Sequence, residues 1–182
     1  MKLNLGCGAN KLEGYTNIDA NKDLDPDLVL DLGKDKLPFP TGSVDEIVTS
    51  HTVEHIPRAF HFHLFNEINR VLRIGGTLFV SFPDFENVSR HYLNNSQGRK
   101  ELWETVIFGR RLDPWDCHVC AMVTKDFINF LKECGFHQIR AAFEEGGDSY
   151  SLVYAVKSFT LIDKSDILRR EVVECNLAIP SA

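Results

Sequence analysis

The stretch KLNLGCGANKLEGYTNID, which begins at residue 2, constrains the fold of this chain more than any other. A short apolar strand, Lys2–Leu5, is followed at once by Gly6 and Gly8, and Asp19 ends a second strand. Glycines after one strand and a carboxylate after the next are typical of nucleotide-binding sheets. Only seven residues separate Gly8 from the second strand, and a helix of ordinary length needs about 11. The sequence therefore predicts such a sheet with its first helix missing.

Similar patterns along the chain predict an α/β domain. Short β-rich runs bounded by turn-forming residues predict seven strands: Lys2–Leu5, Thr16–Ile18, Leu28–Leu32, Glu46–Thr49, Thr77–Phe82, Gln138–Phe143 and Ser151–Val156. Apolar residues at helical spacing predict four helices: Ala59–Arg73, Glu86–Leu93, Arg99–Phe108 and Thr124–Cys134. Thr124 is the expected N-cap of the last helix. The turn at residues 146–148 joins the last two strands as a hairpin, so we expect a mostly parallel sheet with an antiparallel edge strand.

The composition limits the classes of function. A length of 182 residues fits one domain, which we place at 1–157 with residues 158–182 as a C-terminal tail. The absence of a long apolar run argues against a membrane span, and the absence of a leader predicts a cytoplasmic protein. The net charge of −6 and the lack of basic clusters argue against an extended nucleic-acid surface. Five cysteines, an odd number, are expected to be reduced thiols.

The short connections predict that helices are reduced on one face of the sheet. Eight residues separate Asp19 from Leu28, again too few for a helix with its turns. We expect an exposed apolar face there, because nothing in the first connections would cover it. The tail at 158–182 is apolar enough to cover this face or to join a homodimer interface.

Three kinds of glycine-rich site compete for the cofactor. A P-loop requires G-x-x-x-x-G-K-[ST], which does not occur. A dinucleotide site requires a third glycine, where this chain has Lys11, and a full helix for the pyrophosphate. S-adenosyl-L-methionine carries no phosphate and needs glycines, a carboxylate for the ribose and a polar partner for adenine. Such groups follow four successive strands, namely Gly6 and Gly8, then Asp19, then Asp31-Leu32, then Ser50-His51. The order predicts S-adenosyl-L-methionine as the cofactor.

The chain also resembles class I S-adenosylmethionine-dependent methyltransferases. It looks most like a small bacterial branch, methyltransferase type 11-like, often found with surface-polysaccharide genes. The resemblance covers most of residues 2–136, in LNLGCGANKLEGYTNID, LPFPTGSVDEIVTSHTVEHI, NEINRVLRIGGTLFVSFPD, PWDCHV and FLKECGF. It implies a Rossmann-like methyltransferase fold and methyl transfer to a small molecule or glycan precursor, which we expect at oxygen. It places the methionine end at 6–8, the ribose at Asp19 and the adenine at Asp31-Leu32, and the predicted cofactor set also includes Leu5 and Ala20.

Three residues are candidates for the chemistry, because a hydroxyl acceptor is helped by a general base. His51 follows the fourth strand and is expected to line the active site or orient the acceptor. Asp84 follows the fifth strand, where it could orient the acceptor or cap the next helix. His118 lies in an insertion, 85–123, that we expect to form the acceptor pocket or lid, as a base or substrate contact. His61 and His63 are expected to be partly exposed and not ligands.

Metal binding is the less favoured hypothesis at two motifs. One branch of the resembled methyltransferases has Glu-x-x-Glu-His after the fourth strand and binds magnesium. This chain has His51 in place of the first Glu, so His51, Glu54 and His55 would offer a set better suited to a transition metal. Packing at a helix start is the favoured role, and we predict no metal. Cys117 and Cys120 have a zinc-like spacing, but no second pair completes four ligands. Methylation of a nucleic-acid base or protein side chain, and a non-catalytic cofactor-binding subunit, remain the alternative functions.

Overall fold

A computed structural model describes residues 1–94, 100–112, 114–144 and 150–157. Within these ranges four strands come first, then one helix and a fifth strand, then three helices and the last two strands. The strands are β1 (Lys2–Leu5), β2 (Thr16–Asp19), β3 (Leu28–Val29), β4 (Val44–Ser50), β5 (Leu72–Pro83), β6 (Phe136–Glu144) and β7 (Tyr150–Lys157). The helices are α1 (His61–Val71), α2 (Phe85–Leu93), α3 (Lys100–Phe108) and α4 (Thr124–Glu133). Within the described ranges, no helix is long and apolar enough to span a membrane.

The strands form one seven-stranded sheet in the order β3-β2-β1-β4-β5-β7-β6. The pairings from β3 to β5 are parallel, and β7 is antiparallel to both β5 and β6. The predicted α/β sheet with an antiparallel strand near one edge is confirmed, with β7 one place in from the edge strand β6. The strand order reverses between β1 and β4, so their carboxyl ends open a crevice for ligands.

The hydrophobic core lies between the sheet and the helices α1 and α4. Leu3, Leu5, Ile18 and Ile47 fill it from the sheet and are fully buried. From the helices and β5, phenylalanine rings meet edge to face; Phe65 lies 5.4 Å from Phe127, centroid to centroid. Such aromatic pairs add about 0.5–1.5 kcal/mol to the burial of their area.

Two buried asparagines and a loop cover the face of β1 and β2 on which a helix is missing. Asn4 and Asn17 are buried on the face opposite the core, and Nδ2 of Asn4 donates to Oδ1 of Asn17 at 2.9 Å. The same side chains hold the following loop, since Asn4 bonds the carbonyl of Asn10 and Asn17 bonds both backbone groups of Leu12. Helices are indeed absent from both connections, where the second contains only a short 3-10 helix, Lys22–Leu24. The expectation of an apolar face is wrong at these strands, because amides and a loop cover it.

Three further predictions need correction. The third strand is limited to Leu28–Val29, because the chain turns at Asp31, whose carbonyl accepts bonds from Lys34 and Asp35. Thr124 is not the N-cap of α4 but its first residue. His61 is buried, with 3% of its surface exposed, since the helix begins there and turns the ring inward. His63 is partly exposed, as predicted. The proposed tail, 158–182, lies outside the described residues.

Candidate functional site

A cavity of about 920 Å³ opens along the carboxyl ends of β1, β2 and β4. Ligand sites in proteins commonly occupy about 300–1,000 Å³, so the cavity can hold a large cofactor together with a small acceptor. Most of the predicted site residues line it: Gly6, Cys7, Gly8, Asp19, Ala20, Asp31, Leu32, Ser50, His51 and His118. The parallel strands bring these residues together although they lie up to 112 positions apart, from Gly6 to His118.

The glycine turn is built by backbone geometry that other residues rarely adopt. Gly6 has a φ of +67° and Gly8 a φ of +51°. The amides of Gly6 and Cys7 both donate to the carbonyl of Ile18, at 2.8 and 3.0 Å, which ties the turn to β2. A Cβ at Gly6 would lie within 3.0 Å of the Thr52 side chain, whereas one at Gly8 would meet nothing within 4 Å. Gly6 therefore allows close packing with Thr52, and Gly8 leaves its side of the turn open to the cavity.

Asp19 connects the turn to the end of β2. Its Oδ2 accepts from the amide of Gly8 at 2.8 Å, and its Oδ1 accepts from the amide of Asn21 at 2.8 Å. A carboxylate oxygen can accept more than one hydrogen bond, so both oxygens keep acceptor capacity for ligand hydroxyls. The residue thus shapes the turn and faces the cavity at the same time.

Asp31 and Leu32 form the far wall of the cavity. Asp31 bonds the amide of Gly33 at 3.0 Å and the ammonium of Lys34 at 2.6 Å, and its side chain is 40% exposed. Leu32 is buried next to it. A carboxylate beside an apolar side chain suits an aromatic base with an exocyclic amine. Leu5, in contrast, is fully buried in the core and is not among the residues that line the cavity, so the structure does not support its assignment to the cofactor set.

His51 lies at the end of β4 in a strained conformation. Its φ is +52°, a left-handed value that is uncommon outside glycine. Its amide donates to the carbonyl of Ser81 at 2.9 Å, and the neighbouring Ser50 and Ser81 hydroxyls lie 2.6 Å apart. The strain aims a side chain that is 40% exposed into the cavity. Strained residues of this kind cluster at functional sites.

Glu54 lies behind His51 in a short 3-10 helix, Val53–His55. Its side chain is 2% exposed, and its Oε1 lies 3.4 Å from Nδ1 of His51. Neither carboxylate oxygen accepts a hydrogen bond from any residue that the structure describes. A carboxylate buried in this way is costly unless a charge or a donor accompanies it.

His55 and His118 complete a cluster around this carboxylate. Their rings meet edge to face with centroids 4.7 Å apart. The carbonyl of Glu54 accepts from the amides of Val119 and Cys120, which holds the segment carrying His118 against the 3-10 helix. One ligand atom from each of Glu54, His55 and His118 lies within 4.8 Å of the other two.

The environment of His118 favours its neutral form. Burial lowers the pKa of the imidazole below its usual 6.5; the charge of Glu54 and a backbone hydrogen bond to Val106 act in the opposite direction but do not cancel the effect. His118 therefore keeps a lone pair at neutral pH. His118 lines the cavity, and its contact with the acceptor stays a prediction.

Asp84 does not face the cavity, so its prediction as an acceptor-orienting residue is corrected. It is 2% exposed and caps α2, since Oδ1 accepts from the amide of Asn87 at 3.0 Å. Its Oδ2 accepts from the amide and the hydroxyl of Thr124, at 2.9 and 2.6 Å, where it joins α4 to α2. The alternative that the sequence left open, a helix cap, describes its position.

Several cavity residues were missed or only loosely predicted from the sequence. Thr52 lies beneath Gly6, and Phe60 lines the cavity from the segment before α1. Neither follows a strand directly, which is the signal that located the others. Arg110 and Trp115, in the predicted insertion, do line the cavity, whereas Trp103 is 3% exposed and stacks on His91.

Comparisons with known proteins address the identity of this site. Residues 3–80 match the methyltransferase domain family. The match includes the glycine turn, Asp19, the Asp31 loop and the Glu54 segment. The protein is an S-adenosylmethionine-dependent methyltransferase, and S-adenosyl-L-methionine is its cofactor. No curated protein shows a significant match to the sequence of this chain.

Solved methyltransferases share the fold at low sequence identity. One from Methanosarcina mazei is 18% identical, with a TM-score of 0.61 over 87% of this chain and 92% of that chain. Another, from Archaeoglobus fulgidus, is 16% identical, with a TM-score of 0.63 over 86% of this chain and 85% of that chain. A third, from Thermotoga maritima, is 16% identical, with a TM-score of 0.60 over 86% and 81%. At these identities the likeness establishes the fold of the methyltransferase and leaves its acceptor open.

Proposed function

We propose that the methyltransferase acts on an oxygen of a small molecule or glycan precursor. The observation that carries the proposal is the composition of the cavity. Its lining contains the glycine turn with Asp19 and Asp31, and also His51, His118, Trp115 and Arg110, which is paired with Asp116. An aromatic ring and a cation beside two imidazoles suit a sugar or an anionic hydroxyl compound, because rings stack on sugars and arginine binds anions.

The residues divide between cofactor and acceptor. In this proposal the turn at 6–8 holds the methionine end of S-adenosyl-L-methionine, Asp19 and Ala20 contact the ribose, and Asp31 with Leu32 contacts the adenine. The bound cofactor supplies an electrophilic methyl group on a sulfonium. Ser50 and His51 lie where the methyl group would face the acceptor.

The histidines supply the remaining chemistry. A hydroxyl becomes a good nucleophile when its proton is taken as the bond forms, and general-base catalysis contributes about 10²–10⁴-fold. The neutral His118 can accept that proton or bind the hydroxyl, and His51 orients the acceptor. The chain's part in rate enhancement is otherwise positioning of the oxygen in line with the departing sulfur.

The test is turnover of S-adenosyl-L-methionine to S-adenosylhomocysteine with a panel of sugars, phenols and amines. We expect methylation of hydroxyl compounds, and a loss of kcat of about 10²-fold or more for His118→Ala. The control is His63→Ala, which alters a partly exposed histidine bonded to the carbonyl of Asp35. Turnover of amines alone would contradict oxygen as the target, and methylation of nucleic acid or protein would contradict a small acceptor. Cofactor binding without turnover of any acceptor would favour a non-catalytic subunit.

A further inference from the structure

We infer that Glu54, His55 and His118 form a binding site for a divalent transition-metal ion at the wall of the cavity. One ligand atom from each side chain lies within 4.8 Å of the other two. In a tetrahedral zinc site with bonds of roughly 2.0–2.2 Å, ligand atoms lie about 3.4 Å apart. Binding of an ion therefore requires the three side chains to bring these atoms closer together than they lie in the structure.

The buried carboxylate is the observation that points to a cation. Glu54 is 2% exposed, and neither of its oxygens accepts a hydrogen bond from the described part of the chain. Removing a carboxylate from water costs several kcal/mol unless a cation or donors compensate. Nδ1 of His51 lies 3.4 Å from Oε1, and this contact is an ion pair only when the imidazole is protonated. A metal ion held by Glu54 would satisfy the charge directly.

The histidines of the cluster also have ring nitrogens that can bind a metal ion. Nδ1 of His55 lies 3.1 Å from the carbonyl oxygen of Cys117, and only a protonated nitrogen bonds to a carbonyl. The other nitrogen of neutral His55 therefore carries a lone pair. Metal-binding histidines commonly donate their second nitrogen to a carbonyl in this way. His118 contributes one ring nitrogen to the same cluster. Two imidazole nitrogens and a carboxylate oxygen thus lie in one cluster.

The donor set selects the class of ion. Two imidazole nitrogens and one carboxylate oxygen suit zinc and similar first-row ions, whereas magnesium and calcium prefer oxygen ligands. Three protein ligands are typical of sites that keep a fourth position for water or substrate. His55 and His118 line the cavity, so this position would face the acceptor. If the proposed function is correct, the ion would bind the acceptor oxygen and lower its pKa, and His118 would act through the ion.

Metal binding is tested on the full-length protein without any acceptor. Protein stripped with a chelator is titrated with Co²⁺, whose visible absorption reports its ligands, and with Zn²⁺ in competition. We expect one ion per chain, with the weak but intensified absorption of a four-coordinate nitrogen and oxygen site. Glu54→Gln and His118→Ala should weaken binding by at least about tenfold, the effect seen when even the supporting shell of a site is altered.

Matched variants keep the outcome clear. His63→Ala and Cys117→Ser should bind Co²⁺ as the unaltered protein does; loss of binding in Cys117→Ser alone would move the site to the thiols and overturn the inference.

In the presence of chelator, Glu54→Gln should be at least as stable to urea as the unaltered protein, because it removes an uncompensated charge. Added Zn²⁺ should stabilise only chains with all three ligands. No stabilisation and no bound ion would also overturn it. None of these readouts depends on methyl transfer, so they fail or succeed independently of the proposed function.

Discussion

Oδ2 of Asp19 accepts a hydrogen bond from the amide of Gly8 at 2.8 Å, which joins the ends of the first two strands. These two residues, one in the glycine turn and one a carboxylate, belong to the motif from which the nucleotide-binding sheet was predicted. Their bond means that the carboxylate sets the shape of the turn as well as facing the ligand. The cofactor site is therefore preorganised by a contact between two of its own binding groups.

Replacement of Asp19 should weaken cofactor binding more than it weakens the fold. Asp19→Ala removes the acceptor of the Gly8 and Asn21 amides together with the proposed contact to the ribose. Hydrogen bonds to a charged group contribute about 1.5–3 kcal/mol, which corresponds to roughly a 10–150-fold loss of affinity. Calorimetric titration with S-adenosyl-L-methionine measures the change. Asp23→Ala is the matched control, since this nearby carboxylate is exposed and does not line the cavity. Equal affinities for the two variants would contradict the proposed role of Asp19.

Gly6 should tolerate alanine less well than Gly14, although both have left-handed backbone. Their φ values are +67° and +79°, and each alanine costs about 1–2 kcal/mol in that region. A Cβ at Gly14 would meet nothing within 4 Å, whereas one at Gly6 would lie within 3.0 Å of Thr52. We expect Gly6→Ala to lower the free energy of unfolding by clearly more than Gly14→Ala, as measured by urea denaturation.

The clash with Thr52 can be separated from the backbone strain. The double variant Gly6→Ala with Thr52→Ala removes the side-chain atoms that the new Cβ would meet. Because the two residues are in contact, their effects should not add, and the double variant should regain part of the stability. Strictly additive losses would show that the Thr52 contact is not the cause.

The sequence predicts the parts of the site that follow strands directly. The glycine turn, Asp19, Asp31 and His51 all come at strand ends, and parallel strands bring such ends to one edge of the sheet. The buried cluster is different. Glu54 and His118 lie far apart in the sequence, and their contact depends on backbone bonds from Val119 and Cys120 to the carbonyl of Glu54. No local pattern encodes those bonds.

The burial of individual polar residues also could not be predicted from the sequence. The sequence motif of a helix cap at Asp84 would look the same whether the carboxylate were buried or exposed. Only the hydrogen bond to Thr124 shows that this carboxylate also joins α2 to α4. Similarly, His61 is buried because α1 begins at that residue and is preceded by a 3-10 turn. It shares the buried face of α1 with Leu64, Phe65 and Ile68, because residues three, four and seven positions apart lie on the same side of a helix.

Loss of the Asp84 carboxylate should destabilise the fold without a specific effect on the cofactor. Asp84→Ala removes the cap of α2 and leaves the buried amide of Thr124 without its acceptor, whereas the Thr124 hydroxyl keeps its hydrogen bond to Ser151. Caps contribute about 1 kcal/mol, and an unsatisfied buried donor costs about 1–3 kcal/mol, so we expect a loss of about 2–4 kcal/mol in the free energy of unfolding.

The control for this prediction is Glu86→Ala, whose side chain is exposed and paired with Arg90 on the surface of α2. An exposed pair contributes about 0–1 kcal/mol, so this variant should be nearly as stable as the unaltered protein. Both variants should bind S-adenosyl-L-methionine with unchanged affinity at temperatures where they are folded. A large, selective loss of kcat in folded Asp84→Ala would instead restore its role beside the acceptor.

His61 should make the protein less stable as the pH falls below neutrality. Burial lowers the pKa of this imidazole below its usual 6.5, and the charge of Arg58 adds to the effect, while bonds to the carbonyls of Ile56 and Val53 oppose it. Its other neighbours are uncharged: the rings of Phe65 and Phe130 and the thiol of Cys120 at 3.7 Å. Between the folded and unfolded pKa values the unfolded chain binds more protons. Stability from neutral His61 is therefore complete above the unfolded pKa of 6.5 and is lost as the pH falls below it.

Urea denaturation at a series of pH values tests this sign. The free energy of unfolding of the unaltered protein should fall on acidification, with a contribution from His61 of at most about 1.4 kcal/mol per pH unit. His61→Gln cannot titrate but can still donate to the carbonyls of Val53 and Ile56, so it should show a shallower pH dependence. The difference between the two curves isolates His61 from the other histidines. It also separates His61 from Glu67, because Arg70 holds the pKa of that carboxyl below its usual 4.5. Parallel curves for the two proteins, or a steeper curve for His61→Gln, would contradict burial of the neutral ring.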